Sequence, residues 1–333
     1  MADDFTWRDG ERLIRFGEGA AADAPGLLDA EGFDGYVLLT TERAAAAAPA
    51  AAEAARERVD VPPGKVDEIS AALLPEVPEL PLVALGGGRV VDTAKALAGA
   101  RHTRCAAIPT TLSGAEMTPF HRLPAGIDIA RMVRPALVVA DPLLMASQPQ
   151  AQMAASAMNA LAHAMEALYT PLSNPVVDLI ALRGAALIAQ GVPDDDRGAV
   201  ALGALMAGHA SGATGIAVHH AVCQTIVRTA GTPHAETNAV MLPHLARAMA
   251  TRVPAQLGAF AGALGDPRGE PDAAAGLAAR LAARSGHTRL ATLGVEEPQL
   301  RAVAAAAAEH PLMANTPDPP DERELLELLR AAL

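Results

Sequence analysis

The feature that most restricts the fold of this chain is a change of rhythm near residue 142. Before it, five apolar runs of strand length (13–16, 35–40, 81–85, 105–108 and 136–140) are bounded by Gly, Pro or charged residues. Segments of helical composition fall between them at 44–58, 65–74 and 91–100. Such alternation calls for parallel strands, because each parallel pair needs a crossover long enough to bring the chain back, and a helix is the compact way to make one. From Gln150 onward the strand signals vanish. Ala/Leu-rich helical periodicity takes over, broken at Asn174-Pro175, Gly191-Val192-Pro193, Thr232-Pro233, Arg252-Val253-Pro254, 265–271 and 316–320. We therefore expect an α/β domain over residues 1–143 and a helical domain over 144–333.

Two domains also suit 333 residues, more than one core usually organises. A formal net charge of -12 repels phosphate backbones and anionic lipid surfaces, which argues against nucleic-acid and membrane partners. Only Cys105 and Cys223 are present, a usage that suits a reducing compartment better than a disulfide scaffold. The first nine residues are acidic and lack an apolar run, and no uninterrupted apolar stretch reaches the ~18 residues of a membrane span. The expectation is a cytoplasmic protein without signal peptide.

Two loops carry the signature of a ligand site in the first domain. After the run at 81–85 come Gly86, Gly87 and Gly88, then a helix with Asp92 in its first turn and Lys95 inside it. Three glycines let backbone approach a ligand closely, and the amides at a helix start suit a pyrophosphate. One strand later, Ile108-Pro-Thr-Thr-Leu-Ser-Gly-Ala-Glu-Met-Thr-Pro119 offers Thr110, Thr111 and Ser113, hydroxyls placed where open parallel sheets bind nucleotides. Thr40 and Thr41 close the second run similarly, and Glu42 and Arg43 beyond them suit a ribose 2′-hydroxyl and a 2′-phosphate respectively, so the two readings cancel.

The helical half concentrates imidazoles, six of ten histidines lying between 163 and 244. Asn159 and His163 sit four residues apart, hence on one helix face. His219-His220 and Pro233-His234-Ala-Glu-Thr-Asn238 supply the rest. His219 points about 100° from His220 and is expected to face elsewhere, His244 to be structural, and His209 to lie behind the site. Glu116 and Glu166 are candidate orienters, and Arg122, Arg131 and Arg228 candidate anchors for a carboxylate.

These motifs in this order, Gly-Gly-Gly with Asp-Thr-Ala-Lys, Ile-Pro-Thr-Thr with Gly-Ala-Glu-Met-Thr-Pro, Asn-Ala-Leu-Ala-His-Ala-Met-Glu, and His-His followed by Pro-His-Ala-Glu-Thr-Asn, resemble the iron-containing alcohol dehydrogenase superfamily, and within it maleylacetate reductases most. The resemblance implies an N-terminal Rossmann-like nucleotide-binding α/β domain plus an all-α C-terminal domain (the dehydroquinate synthase-like fold), NADH or NADPH as cofactor, and a homodimer. It places Gly86, Gly87, Gly88, Thr110 and Thr111 on cofactor loops. Asn159, His163, His220 and His234 fall where metal-dependent members hold their ion. The chain departs from related reductases at Arg89, Ala115, Ala221 and Gln224, where those read Ser, Ser, Lys and His.

A catalytic divalent ion wants three deprotonated ligands and an open position. His163, His220 and His234 could supply nitrogens, but neutral Asn159 removes the anionic ligand and weakens affinity for Fe(II) or Zn(II). The leading expectation is metal-free reduction of a small carboxylate- or carbonyl-bearing substrate, an oxo acid or enone, with a protonated histidine donating to the developing oxyanion. His220 and His234 come first in that role, His163 and Asn159 support it, and the resemblance makes the specific reaction maleylacetate to 3-oxoadipate. The alternatives are a metal-dependent alcohol dehydrogenase of broad specificity and a diverged relative with a non-redox role such as a cyclase or isomerase.

Overall fold

The structure, a computed structural model, describes residues 4–128 and 131–333, so the first three residues of the acidic N-terminal stretch lie outside the described residues. The chain divides into two compact units, Met1–Ser147 and Gln148–Leu333.

The first unit is built on a seven-stranded sheet: β1 (Phe5–Asp9), β2 (Arg12–Phe16), β3 (Val37–Thr40), β4 (Glu57–Asp60), β5 (Leu82–Gly86), β6 (Cys105–Pro109) and β7 (Leu137–Ala140), in spatial order β1-β2-β7-β6-β5-β3-β4. Every pairing is parallel except the β1–β2 hairpin. Strands β3, β5, β6 and β7 are buried on both faces, which is why they read as continuous apolar runs. Their side chains alternate between two layers. Leu38, Val83, Leu85, Ala106 and Ile108 pack under α1 (Ala24–Ala30), while Val37, Leu39, Leu82, Ala84 and Ala107 meet the opposite layer.

Strands β1 and β4 were not expected. Both are edge strands rich in charge, Phe-Thr-Trp-Arg-Asp and Glu-Arg-Val-Asp, and an edge strand needs no apolar run. The helix expected over 44–58 is correspondingly shorter. It divides into α2 (Glu42–Ala47) and α3 (Pro49–Glu53), because Pro49 pushes Ala48 out of helical geometry (φ -133°, ψ 67°), and its last residues belong to β4. The opposite layer is formed by α4 (Val66–Leu73) and α5 (Gly88–Ala100).

From β3 the chain leaves toward β4, whereas from β5 it leaves toward β6, on the other side. The carboxyl ends of β3 and β5 therefore flank a topological switch point, the crevice where open parallel sheets receive ligands. After β7, Asp141 caps the short α6 (Pro142–Met145), accepting from the Leu143 amide at 2.9 Å and from the Ala21 amide at 3.2 Å. This ties α6 to the first unit, so the division falls at 147/148 and not at 143/144.

The second unit contains α7 (Gln150–Ala167), α8 (Pro175–Asp194), α9 (Arg197–Thr214), α10 (Val218–Ala230), α11 (His234–Ala250), α12 (Pro254–Ala263), α13 (Ala273–Ala282), α14 (Glu297–Ala308) and α15 (Glu322–Ala332), and no strand among the described residues. At its centre is α7, buried at every position from Met153 to Ala167, which accounts for its Ala/Met/Leu composition. Asn174 caps α8 by accepting from the amides of Val176 and Val177. The break expected at 191–193 does not occur, and α8 continues to Asp194. Gly191 serves packing instead, since a Cβ there would lie 2.8 Å from the Asp196 carbonyl and from Val200. Gly184 and Gly203 bring α8 and α9 into backbone contact, each Cβ position lying within 2.9 Å of the other's carbonyl oxygen. By length and composition α8 could cross a membrane, but here it packs on α7 and α9.

Candidate active site

In the first unit, Gly86 ends β5, Gly87 is the N-cap and Gly88 the first residue of α5. All three are glycine for reasons of contact. A Cβ on Gly86 would lie 2.7 Å from Val90, one on Gly87 2.9 Å from the Thr111 methyl, and one on Gly88 3.1 Å from Ser113. The loop after β6 thus leans directly on the corner, and the Thr110 amide fastens it by donating to the Gly86 carbonyl at 3.0 Å. Thr111 and Ser113 are half-buried and reachable. Gly87 has no side chain to cap α5, so the first amides of the helix face an incoming group, at the positive end of its dipole. The corner occupies the switch point and fits a nucleotide pyrophosphate.

Four residues expected on the cofactor have other work. The Thr40 hydroxyl is fully buried and donates to the Leu85 carbonyl at 2.8 Å, fastening β3 to β5 beside the crevice. Thr41 accepts from the Ala44 amide as the cap of α2. Asp92 lies in the second turn of α5, not the first, because the helix starts at Gly88, and it pairs with the Lys95 ammonium at 2.8 Å. Thr110 is buried, 6% exposed, and contributes its backbone.

In the second unit Ser156, Asn159, His163 and Glu166 follow one another at helical spacing down one stripe of α7. Opposite them, α10 starts at Val218 with no cap from its own chain neighbours. Glu166 supplies it. One carboxylate oxygen accepts from the His219 and His220 amides at 2.6 and 3.3 Å, and the other accepts from His220 Nδ1 at 2.5 Å. One fully buried acid therefore caps a helix from another element and fixes a histidine. With Nδ1–H turned to Glu166, His220 Nε2 is a lone pair, buried and without a hydrogen-bond partner among the described residues.

His163 stacks on His220 with ring centres 4.4 Å apart, and its Nδ1 hydrogen-bonds with Ser211 Oγ of α9 at 2.9 Å. His219, expected to face elsewhere, is fully buried beside His220 with ring centres 5.4 Å apart edge to face, and donates from Nε2 to Asn238 Oδ1 at 2.8 Å, 3.5 Å from Cys223 Sγ. His234 opens α11, exposed, and its charge bears on the other three rings.

Burial and mutual repulsion empty these rings of protons. His220 is pushed down to about 3 by burial and by His234, and His219 to about 4 by burial and His220. His163 is held well below the ordinary imidazole range for the same reasons, while Glu166 is pushed up by burial against the pull of its donors. His163, His219 and His220 are thus held toward the neutral form around one acid, which runs against the expectation of a protonated histidine at 220.

A metal is poorly served by these donors. No group of three His, Cys, Asp or Glu side chains among the described residues is placed to hold an ion. His163 and His220 do turn Nδ1 to protein partners as ligand histidines do, yet Asn159 brings no charge and His234 does not complete a set with them.

Sequence reasoning named Glu166 as a candidate orienter, and it is fully buried. It missed Ser211 and Asn238, whose partners are fixed by helix packing across 48 and 19 residues and leave no local spacing to read. Arg122 and Arg228 are exposed, Arg228 in the last turn of α10, away from His220 in the first, and Arg131 donates to the Thr103 carbonyl. Glu116 belongs to the first unit.

Comparison with known proteins accords with this construction. The sequence description "Fe-containing alcohol dehydrogenase family, C-terminal" matches residues 153–333. Maleylacetate reductase from Sphingobium indicum is 33% identical over 340 residues, covering 96% of this chain and 95% of that protein. Maleylacetate reductase 1 from Rhodococcus opacus is 36% identical over 261 residues, 75% of this chain and 72% of that one. The crystal structure of maleylacetate reductase from Agrobacterium tumefaciens superposes with a TM-score of 0.85 at 28% identity, covering 100% of this chain and 99% of that chain. With a near-complete relative above 30% identity and a family match over the helical half, the chain belongs to the Fe-containing alcohol dehydrogenase family.

Proposed function

We propose that this chain is an NAD(P)H-dependent reductase of a small oxo acid or enone, with maleylacetate to 3-oxoadipate as its specific reaction, and that it works without a bound metal. The observation that carries the reading is the Glu166–His220 pair with its unpartnered Nε2, set in a cluster lacking a ligand set for an ion. Near full-length similarity to maleylacetate reductases supports the substrate class.

A reduced nicotinamide, when bound, supplies the hydride. The glycine corner, Thr111 and Ser113 hold the pyrophosphate and ribose side of such a cofactor. His220 manages the proton. Nε2 accepts one, the Glu166 carboxylate stabilises the imidazolium formed, and the buried ring gives the proton up readily to the carbon or oxyanion that has received hydride. His163, stacked on His220 and pinned by Ser211, keeps that ring from turning. His234 heads α11, so a substrate carboxylate beside it also meets the positive end of a helix, a partial replacement for the cations absent at 221 and 224. Its two cysteines are buried and unpaired, consistent with a cytoplasmic protein, and we expect a homodimer, which sizing measures.

The nitrogen arrangement of His163 and His220 favours one second reading, a metal-dependent alcohol dehydrogenase. The test is a panel of oxo acids, enones and aldehydes, followed through NADH and NADPH oxidation before and after chelator. Turnover of maleylacetate that survives chelation is expected. Activity lost to chelator and restored by Fe(II) or Zn(II) would favour the second reading instead.

A further inference from the structure

Two cations of the first unit are buried among the described residues, Lys95 and Arg12. Lys95 on α5 is fully buried, and its ammonium donates to Asp92 Oδ1 at 2.8 Å, the Ala115 carbonyl at 2.9 Å and the Phe120 carbonyl at 2.5 Å, which saturates its three hydrogens. Arg12 on β2 is 9% exposed. It donates from Nε to the Pro135 carbonyl at 2.9 Å, from Nη1 to Asp9 at 3.2 Å and from Nη2 to the Glu116 carbonyl at 3.0 Å. Two separate elements thus grip three carbonyls of one loop, at 115, 116 and 120.

That loop has neither strand nor helix to satisfy its backbone. Burying paired charge is a poor source of stability compared with an apolar core of the same volume, so such pairs call for another explanation. The same loop places Thr111 against Gly87 and Ser113 against Gly88. Its position decides whether those hydroxyls stand at the corner before a ligand arrives.

We propose that Lys95 and Arg12 are positioning residues for the nucleotide, two buried cations that hold the 110–120 loop by its carbonyls so that Thr111 and Ser113 are preformed against the glycine corner. This rests on the reading of that corner as a nucleotide site. A loop already ordered loses little freedom on binding, whereas a released one must be ordered by the ligand and weakens it accordingly. Asp92 belongs to the same device, acting on the loop through Lys95.

The test titrates the full chain with NADH and NADPH, followed by nicotinamide fluorescence, with melting temperature measured on the same samples. The variants are Arg12→Lys, Lys95→Met and, as a control for general destabilisation, Leu28→Ala in the opposite core layer. Lysine keeps the charge at 12 but not the fork that reaches three acceptors, so Arg12→Lys is expected to raise Kd and cofactor KM about tenfold with kcat at saturating cofactor within about twofold. Leu28→Ala is expected to lower the melting temperature at least as much and leave Kd at the wild-type value. Lys95→Met should weaken binding further where it folds, and Arg12→Lys decides the matter where it does not. An Arg12→Lys protein that binds within twofold of wild type, or affinities that follow melting temperature through all variants including Leu28→Ala, would overturn the clamp alone. A wild-type chain that binds neither nucleotide would overturn the corner reading as well.

Discussion

Replacing Glu166 by Gln exchanges one heavy atom and should invert the proton map of the cluster. The side-chain carbonyl of Gln can keep the His219 and His220 amides, now bound at 2.6 and 3.3 Å. Its NH2 then faces His220 Nδ1, 2.5 Å from the present carboxylate oxygen, and two donors cannot share that gap. The imidazole must move its proton to Nε2 and accept at Nδ1, which removes the base at Nε2 and the carboxylate behind the imidazolium. Hydrogen bonds to a charged acceptor contribute about 1.5–3 kcal/mol against about 0.5–1.5 for neutral ones, so the stability loss should be about 2–3 kcal/mol. The wrong tautomer and lost counter-charge should lower kcat by about 10²- to 10⁴-fold. Glu166→Ala is harsher, leaving three buried donors without an acceptor at about 1–3 kcal/mol each, a sum comparable with the whole stability of a domain. The assay combines maleylacetate-dependent NADH oxidation, thermal melting and ¹⁵N shifts of the His220 ring. A soluble Glu166→Gln protein with kcat within threefold of wild type, or a ring still protonated at Nδ1, would refute the reasoning.

Other outcomes follow from single contacts. Glu116 is fully buried, its carboxylate makes no hydrogen bond to another residue among the described ones, and burial pushes it up to about 7 despite Lys95 and Arg12, with Asp92 adding to the rise. Because its folded value lies above the unfolded one, its contribution is present below about pH 4.5 and is lost as pH rises to about 7. Urea midpoints should show that loss, at most about 3 kcal/mol, and Glu116→Gln should flatten it; an unchanged slope would sink the assignment. Ser211→Ala removes the 2.9 Å partner of His163 and should cost about 1–2 kcal/mol and about tenfold in turnover, read from melting and steady-state kinetics. Gly184→Ala puts a methyl 2.9 Å from the Gly203 carbonyl and should destabilise by about 2 kcal/mol, seen as a lower melting temperature with unchanged KM in the folded fraction.

The interior of the sheet was legible because parallel strands buried on both faces must be continuously apolar, as Val37–Thr40 and Leu137–Ala140 are. Edge strands escape that logic, and Glu57–Asp60 was absorbed into a neighbouring helix by its charges. Gly86, Gly87 and Gly88 announced a close approach, but what approaches them first is the chain's own Val90, Thr111 and Ser113. The imidazole cluster was visible through the spacing of Asn159 and His163. Its protonation was not, because the shift comes from burial and from charges on other helices, a product of packing alone. Lys95 illustrates the same limit: a lysine at the centre of an amphipathic helix suggests solvent, and only the carbonyls of a distant loop account for its burial.

The switch point between β3 and β5 separates two design problems that many enzymes entangle. Glu42 and Arg43 protrude from the first turn of α2, outside both core layers, while Thr40 and Thr41 behind them keep the strand end and the helix start in place. For the nucleotide site proposed above, a change of preference between NADH and NADPH is expected from substitutions at these two exposed positions, which leave the interior of the sheet untouched.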